Sequence, residues 1–216
     1  MTKAEKIEIQ RREITKVMNY FENHKLDFQN DRLLAAMQNS ITRIFQLDIE
    51  ELGYTYDPKN PDDKNTFDLE FVNDSAKHYR GAHQSGFNLE NGKLTKNKPK
   101  IVYNAAHMYK DLDSNDKDTR LSACKTLFKT VFHEIQHHRQ VLMARTNVSS
   151  KEGMLYARDF AIRSYLDEKW YTRNKETGNY ERYAIENNAN ETGYREYLEI
   201  MGSDDEISNL RDIEER

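Results

Sequence analysis

Apolar positions recur with helical spacing at both ends of the chain and with strand-like spacing only in its middle. Near the start, Ile7, Ile14, Val17, Met18 and Phe21 return at intervals close to 3.6, which predicts a helix over residues 4–23. Leu33, Leu34, Met37, Ile41, Ile44, Phe45 and Leu47 predict a second helix over 29–48, with Asn30 or Asp31 as its N-cap. The pair reads as an α-hairpin packed on the rest of the chain. Partner-binding helices are the alternative.

From Gly53 to Asn65 the texture changes. YDPKNPDDKN holds two of the three prolines among turn formers, so this stretch reads as a loop. Short β-like runs follow at Phe67–Val72, about Ala82–Leu89, and Lys100–Asn104. Glu90-Asn91-Gly92-Lys93 is a turn signal between extended segments. Ile101-Val102-Tyr103 is the clearest strand. These runs predict a small, mostly antiparallel sheet of about three strands.

Helix returns near residue 115, where SNDKDTR offers a cap and first-turn carboxylates. Leu121, Cys124, Phe128, Val131 and Ile135 then make an apolar stripe, and the helix is expected to reach about Arg145. A further helix is expected over Lys151–Trp170. The turn RNKETGN separates it from a last helix near Tyr180–Met201, and an acidic tail follows. The fold class is α+β and mainly helical. An N-terminal helical hairpin spans 1–50, a loop spans 51–66, and one domain spans 67–216, all in one compact unit.

Composition narrows the classes. Aromatic residues at 11%, with 13 Tyr and 9 Phe, supply a core and argue against disorder. A net charge of −4 without a basic cluster speaks against a nucleic-acid footprint. The lone cysteine, Cys124, excludes an intramolecular disulfide and a Cys-rich zinc module; on the apolar stripe it reads as core. MTKAEKIEIQRREITK has no apolar signal region, and no run approaches the roughly 18 apolar residues of a membrane span. A cytoplasmic protein is the expectation, with signal-independent export open.

The chemistry concentrates at His133-Glu134-Ile135-Gln136-His137. Histidines four apart on a helix share one face, so both imidazoles reach one ion. Glu134 stands beside the first ligand, placed to take a proton from water activated by Zn2+ and pass it to a leaving amine. The apolar turns before the motif, LFKTVFHEI, suit a buried zinc helix. A catalytic zinc needs a third protein ligand. Of the downstream carboxylates Glu152, Asp159, Asp167, Glu168, Glu186, Glu191 and Glu196, the choice is Glu186. Ala189 and Gly193 are small and allow its helix to approach the zinc helix closely. Asn190, four residues on, is placed to accept a hydrogen bond from a ligand imidazole, His133 foremost.

H-E-x-x-H followed by a glutamate on a later helix resembles the gluzincin metallopeptidases. Glu186-Asn187-Asn188-Ala189-Asn190 resembles the E-x-x-A-N segment of the ImmA/IrrE-like peptidases of bacteria, phages and mobile elements. The strand KIVYNAA is similar to that group as well, and in gluzincins such a strand at the sheet edge binds extended substrate. The resemblance covers roughly residues 80–200 and implies a zincin-like fold, a bound zinc and a protein or peptide substrate. The chain departs from it in two ways. His137 and Glu186 are 49 positions apart, a wide interval holding an extra helix. Residues before 80 match nothing in that group.

An oxyanion needs a donor besides the metal. Tyr194, Tyr183, His138 and Tyr103 are candidates; Tyr194 lies two turns past Glu186 and about 80° round the helix. His138 points about 100° away from His137, which favours a surface or supporting role. His78, His83 and His107 lie near the strands and are candidates to line the cleft. Trp170, Tyr171, Tyr180 and Tyr183 read as packing between the last helices. Two rivals stand beside the peptidase: a catalytically silent zinc-binding or regulatory module, and a DNA-associated regulator with the N-terminal helices as its reading head.

Overall fold

The computed structural model describes residues 1–27, 29–52, 68–77, 79–84, 87–90, 93–96, 98–147, 149–165 and 184–202. The expected loop at 53–65, His78, the Asn91-Gly92 turn, RNKETGN, the Trp170/Tyr171/Tyr180/Tyr183 cluster and the acidic tail lie outside the described residues.

Helices α1 (Lys3–Asn23) and α2 (Asp31–Glu51) pack on one another as the expected hairpin, and α1 also packs on the long helix that follows. Thr2 and Glu5 close a capping box at the start of α1, the Thr2 N–H donating to the Glu5 carboxylate at 2.7 Å. The N-cap of α2 is Asn30, whose side chain accepts from the Leu33 N–H at 3.1 Å.

Among the described residues five short strands follow: β1 (Asp68–Val72), β2 (Gly81–Gln84), β3 (Phe87–Glu90), β4 (Lys93–Lys96) and β5 (Lys100–Asn104). Three form a sheet in the order β1-β5-β2, with β5 parallel to β1 and antiparallel to β2. The sheet is therefore mixed rather than mostly antiparallel. Chain direction causes this: the chain leaves β1, passes through β2 and a hairpin, and re-enters alongside β1 in the same sense. The run expected as one strand over Ala82–Leu89 is two strands in two sheets. β3 leaves β2 and pairs with β4, Glu90 opposite Lys93, as the Asn-Gly turn signal favours. β5 is the central strand, with Ile101, Val102, Tyr103 and Asn104 all buried. The edge strand beside Glu134 is β2, not the KIVYNAA strand.

A one-turn helix, α3 (Ala105–Met108), leads to α4 (Lys117–Thr146). Asp116 caps α4 by accepting from the Thr119 N–H at 2.7 Å. At 30 residues, α4 is roughly 45 Å long. It touches α1, α2, β2 and two later helices, α5 (Lys151–Tyr165) and α6 (Ala184–Met201). One core joins Ile14 and Phe21 of α1, Ile44 and Phe45 of α2, Ile101 and Tyr103 of β5, Phe128 and Phe132 of α4, and Leu198 of α6. A smaller cluster of Val141, Ala144, Tyr156, Phe160 and Ile185 seats α5 on α4 and α6. Among the described residues no helix is long and apolar enough to cross a membrane.

A buried charge network crosses this core. The Lys6 ammonium lies 2.8 Å from Asp48, 2.5 Å from Glu51 and 3.2 Å from Glu196. Arg139 donates to Asp48 at 2.9 Å through Nε and lies 2.9 Å from Glu196 through Nη1. Burial opposes both cations, and Asp48 and Glu196 outweigh it, so both pKa values rise. The network ties α1, α2, α4 and α6 together.

Candidate metal centre

The centre forms where α6 crosses α4. Gly193 and Ala189 make the crossing close: a Cβ on Gly193 would lie 2.8 Å from the Phe132 carbonyl oxygen, and Ala189 is wholly buried. The small residues therefore act as expected. Two turns before Gly193, α6 brings Glu186 to the two histidines of α4. The Nε2 atoms of His133 and His137 are 3.0 Å apart. Glu186 Oε2 lies 3.3 Å from His137 Nε2 and 3.6 Å from His133 Nε2.

This triad can hold a metal ion. Donors held at 2.0–2.2 Å round a tetrahedral ion stand roughly 3.3–3.6 Å from one another. The observed separations of 3.0, 3.3 and 3.6 Å bracket that spacing closely. Glu186 is 1% exposed, and a carboxylate buried so deeply is paired or binds a metal. His137 is 2% exposed and His133 23%, so the cluster is closed behind and open at His133.

Glu134 is buried between α4 and the edge strand. A Cβ on Gly81 would lie 2.8 Å from Glu134 Oε1 and 2.9 Å from its Cγ, so the glycine leaves the room this carboxylate occupies. His83, two residues along the same face of β2, is also buried. Its Nε2 is 3.4 Å from His138 Nδ1, and its ring centroid is 6.3 Å from that of His137. His83 thus joins the site's wall, as its place near the strands allowed. His138 is buried rather than on the surface, and burial pushes its pKa down to about 4, which keeps it neutral near pH 7.

The remaining candidates fall elsewhere. Tyr194 packs partly buried against the core, its hydroxyl 3.4 Å from Lys129 Nζ, which lies 4.4 Å over its ring. Tyr103 is fully buried between Phe45 and Phe71, and burial, then the nearby charge of Glu134, raises its pKa well above the usual value. Cys124 is core, its thiol pushed up to about 12 by burial. His107 lines a separate 410 Å³ cavity with Arg80 and Asp118, at the start of α4. Tyr183 lies outside the described residues.

Asn190 is exposed on α6. Gln140, one turn further along α4, lies at the His137 ring, its Oε1 2.9 Å from His137 Nδ1. Gln140 Nε2 donates to the Ile185 carbonyl at 2.8 Å and to Asn188 Oδ1 at 2.9 Å. The sequence signal for Gln140 is its spacing, three residues beyond His137 on the same helix.

Among known proteins, no family model, no curated protein and no solved structure gives a significant match to this chain.

Proposed function

We propose that this chain is a zinc-dependent metallopeptidase of the gluzincin kind, hydrolysing a peptide bond in a protein or peptide. The observation that carries the reading is the meeting of His133, His137 and Glu186 beside a buried Glu134. Two imidazoles and one carboxylate are a donor set that suits zinc with a coordination position left open. The resemblance to ImmA/IrrE-like peptidases rests on the same residues. When bound, zinc polarises a carbonyl and lowers the pKa of water.

The residues do the rest. Glu134 accepts the proton of the attacking water and returns it to the leaving amine. Gly81 keeps the space that Glu134 needs. β2 ends the three-stranded sheet, and its outer side has no strand partner among the described residues. An extended peptide adding to that edge would lie beside the strand that packs on Glu134. His83 walls the same cleft.

The test uses zinc-loaded wild type and Glu134→Gln against a diverse peptide library read by mass spectrometry. Wild type is expected to cleave and Glu134→Gln to lose at least about a hundredfold in rate at equal zinc content. Equal cleavage by both overturns the mechanism. Full zinc occupancy without cleavage by wild type favours the catalytically silent module.

A further inference from the structure

We propose that Gln140, Asn188 and Gln136 form a hydrogen-bond relay that fixes the tautomer of His137 and braces this ligand against the N-terminal α-hairpin. The inference rests on the metal-site reading above, but its own readout needs no metal.

Both ends of the relay have only one possible role. At one end is the Ile185 backbone carbonyl, which can only accept. Gln140 lies 2.8 Å from it through the amide nitrogen, so that end of the amide is fixed as the donor. The same nitrogen reaches Asn188 Oδ1 at 2.9 Å. Gln140 Oε1 must then face His137 Nδ1, 2.9 Å away, and an amide oxygen can only accept. His137 therefore carries its proton on Nδ1. Its Nε2 then carries no proton and faces His133 and Glu186. That is the tautomer a metal ligand requires.

At the other end is the Arg139 guanidinium, which can only donate. It lies 3.4 Å from Gln136 Oε1 through Nη1, which leaves Gln136 Nε2 to donate to Asn188 Oδ1 at 2.8 Å. The two assignments meet at Asn188 without conflict: its oxygen accepts from both glutamines, and its Nδ2 donates to Thr192 at 3.3 Å. Arg139 is held in turn by Asp48 of α2, which binds Lys6 of α1. A continuous polar path thus runs from the first turn of the N-terminal hairpin to a metal ligand. Gln140 is a positioning residue in this scheme, since it acts only through His137.

The tautomer is read on metal-free protein by long-range ¹⁵N–¹H correlation of the histidine rings, at a pH where His137 is neutral. Wild type is expected to show His137 protonated on Nδ1. Gln140→Leu is expected to shift it toward the Nε2-protonated form and to weaken zinc binding about tenfold to a hundredfold by competition titration. Gln140→Glu is the rescue: a carboxylate only accepts, so the Nδ1–H form returns although the tether to Ile185 is lost. A structural role alone would not give that pattern. An Nε2-protonated His137 in wild type, or an unchanged tautomer in Gln140→Leu, overturns the proposal. If Gln140→Leu does not fold, the wild-type and Gln140→Glu spectra still decide it. A wild type that shows the Nδ1–H form but binds no zinc sinks the metal reading and leaves the relay standing.

Discussion

Replacing Gly193 with alanine pits two effects against each other. Alanine is the better helix former by about 1 kcal/mol, so propensity alone predicts a more stable protein. Packing predicts the reverse. The new Cβ would sit 2.8 Å from the Phe132 carbonyl oxygen, 2.9 Å from its carbon and 3.0 Å from the His133 nitrogen. These are backbone atoms of the central helix, so no rotamer change relieves the clash. Reaching even the 3.4 Å end of ordinary contact moves α6 away by roughly 0.6 Å. Overpacking of that kind costs about 1–3 kcal/mol, so the net expectation is a loss of about 1 kcal/mol. Glu186 rides on the same helix. Metal–ligand distances tolerate only about 0.2 Å, so the displaced carboxylate should weaken zinc binding by about tenfold or more. Urea unfolding in chelator reads the first effect and competitive zinc titration the second. A variant at least as stable as wild type, with unchanged zinc affinity, would refute the claim that Gly193 sets the approach of α6 to the metal.

Three further outcomes are expected. Gly81→Ala pushes on Glu134 without touching a metal ligand, so peptide hydrolysis should fall about a hundredfold while zinc affinity holds; a parallel loss of both would contradict the placement of Glu134. Asp48→Asn leaves Lys6 and Arg139 short of a buried counter-charge and should cost about 3 kcal/mol by urea unfolding; a cost near zero would show the network behaving like an exposed ion pair. His138 has its pKa lowered from 6.5 to about 4, so the folded state resists protonation that the unfolded chain accepts. Its contribution is complete above pH 6.5 and fades as pH falls toward 4. Metal-free wild type should therefore lose up to about 3 kcal/mol more than His138→Phe over that range, and parallel stability curves would contradict it.

Much of the site was legible because its parts are local. Two histidines four apart declare their shared face, and the small pair Ala189 and Gly193 declares where α6 comes close. Asn190 is harder to place, because its position depends on the rotation of that helix. The contact line with α4 runs through Ala189 and Gly193. Glu186 lies roughly 40° to one side of it and Asn190 roughly 80° to that same side, out to solvent, while Asn188 lies roughly 120° to the other. Strand direction was beyond reach for a different reason. Alternation identifies which residues are extended, but the partners of β1 and β2 are set by where the chain returns, so β5 was placed at an edge it does not occupy. The places of Lys6 and His83 likewise depend on residues distant in sequence, Lys6 on Asp48 and Glu196, His83 on His138.

Metal content tests the central claim most directly. Wild type, Glu134→Gln, His137→Ala and Glu186→Ala are each loaded with zinc, freed of excess and analysed for bound metal per chain. Wild type and Glu134→Gln should each carry one zinc, and His137→Ala and Glu186→Ala should both lose it. Full occupancy in Glu186→Ala, or no zinc in wild type, would contradict it.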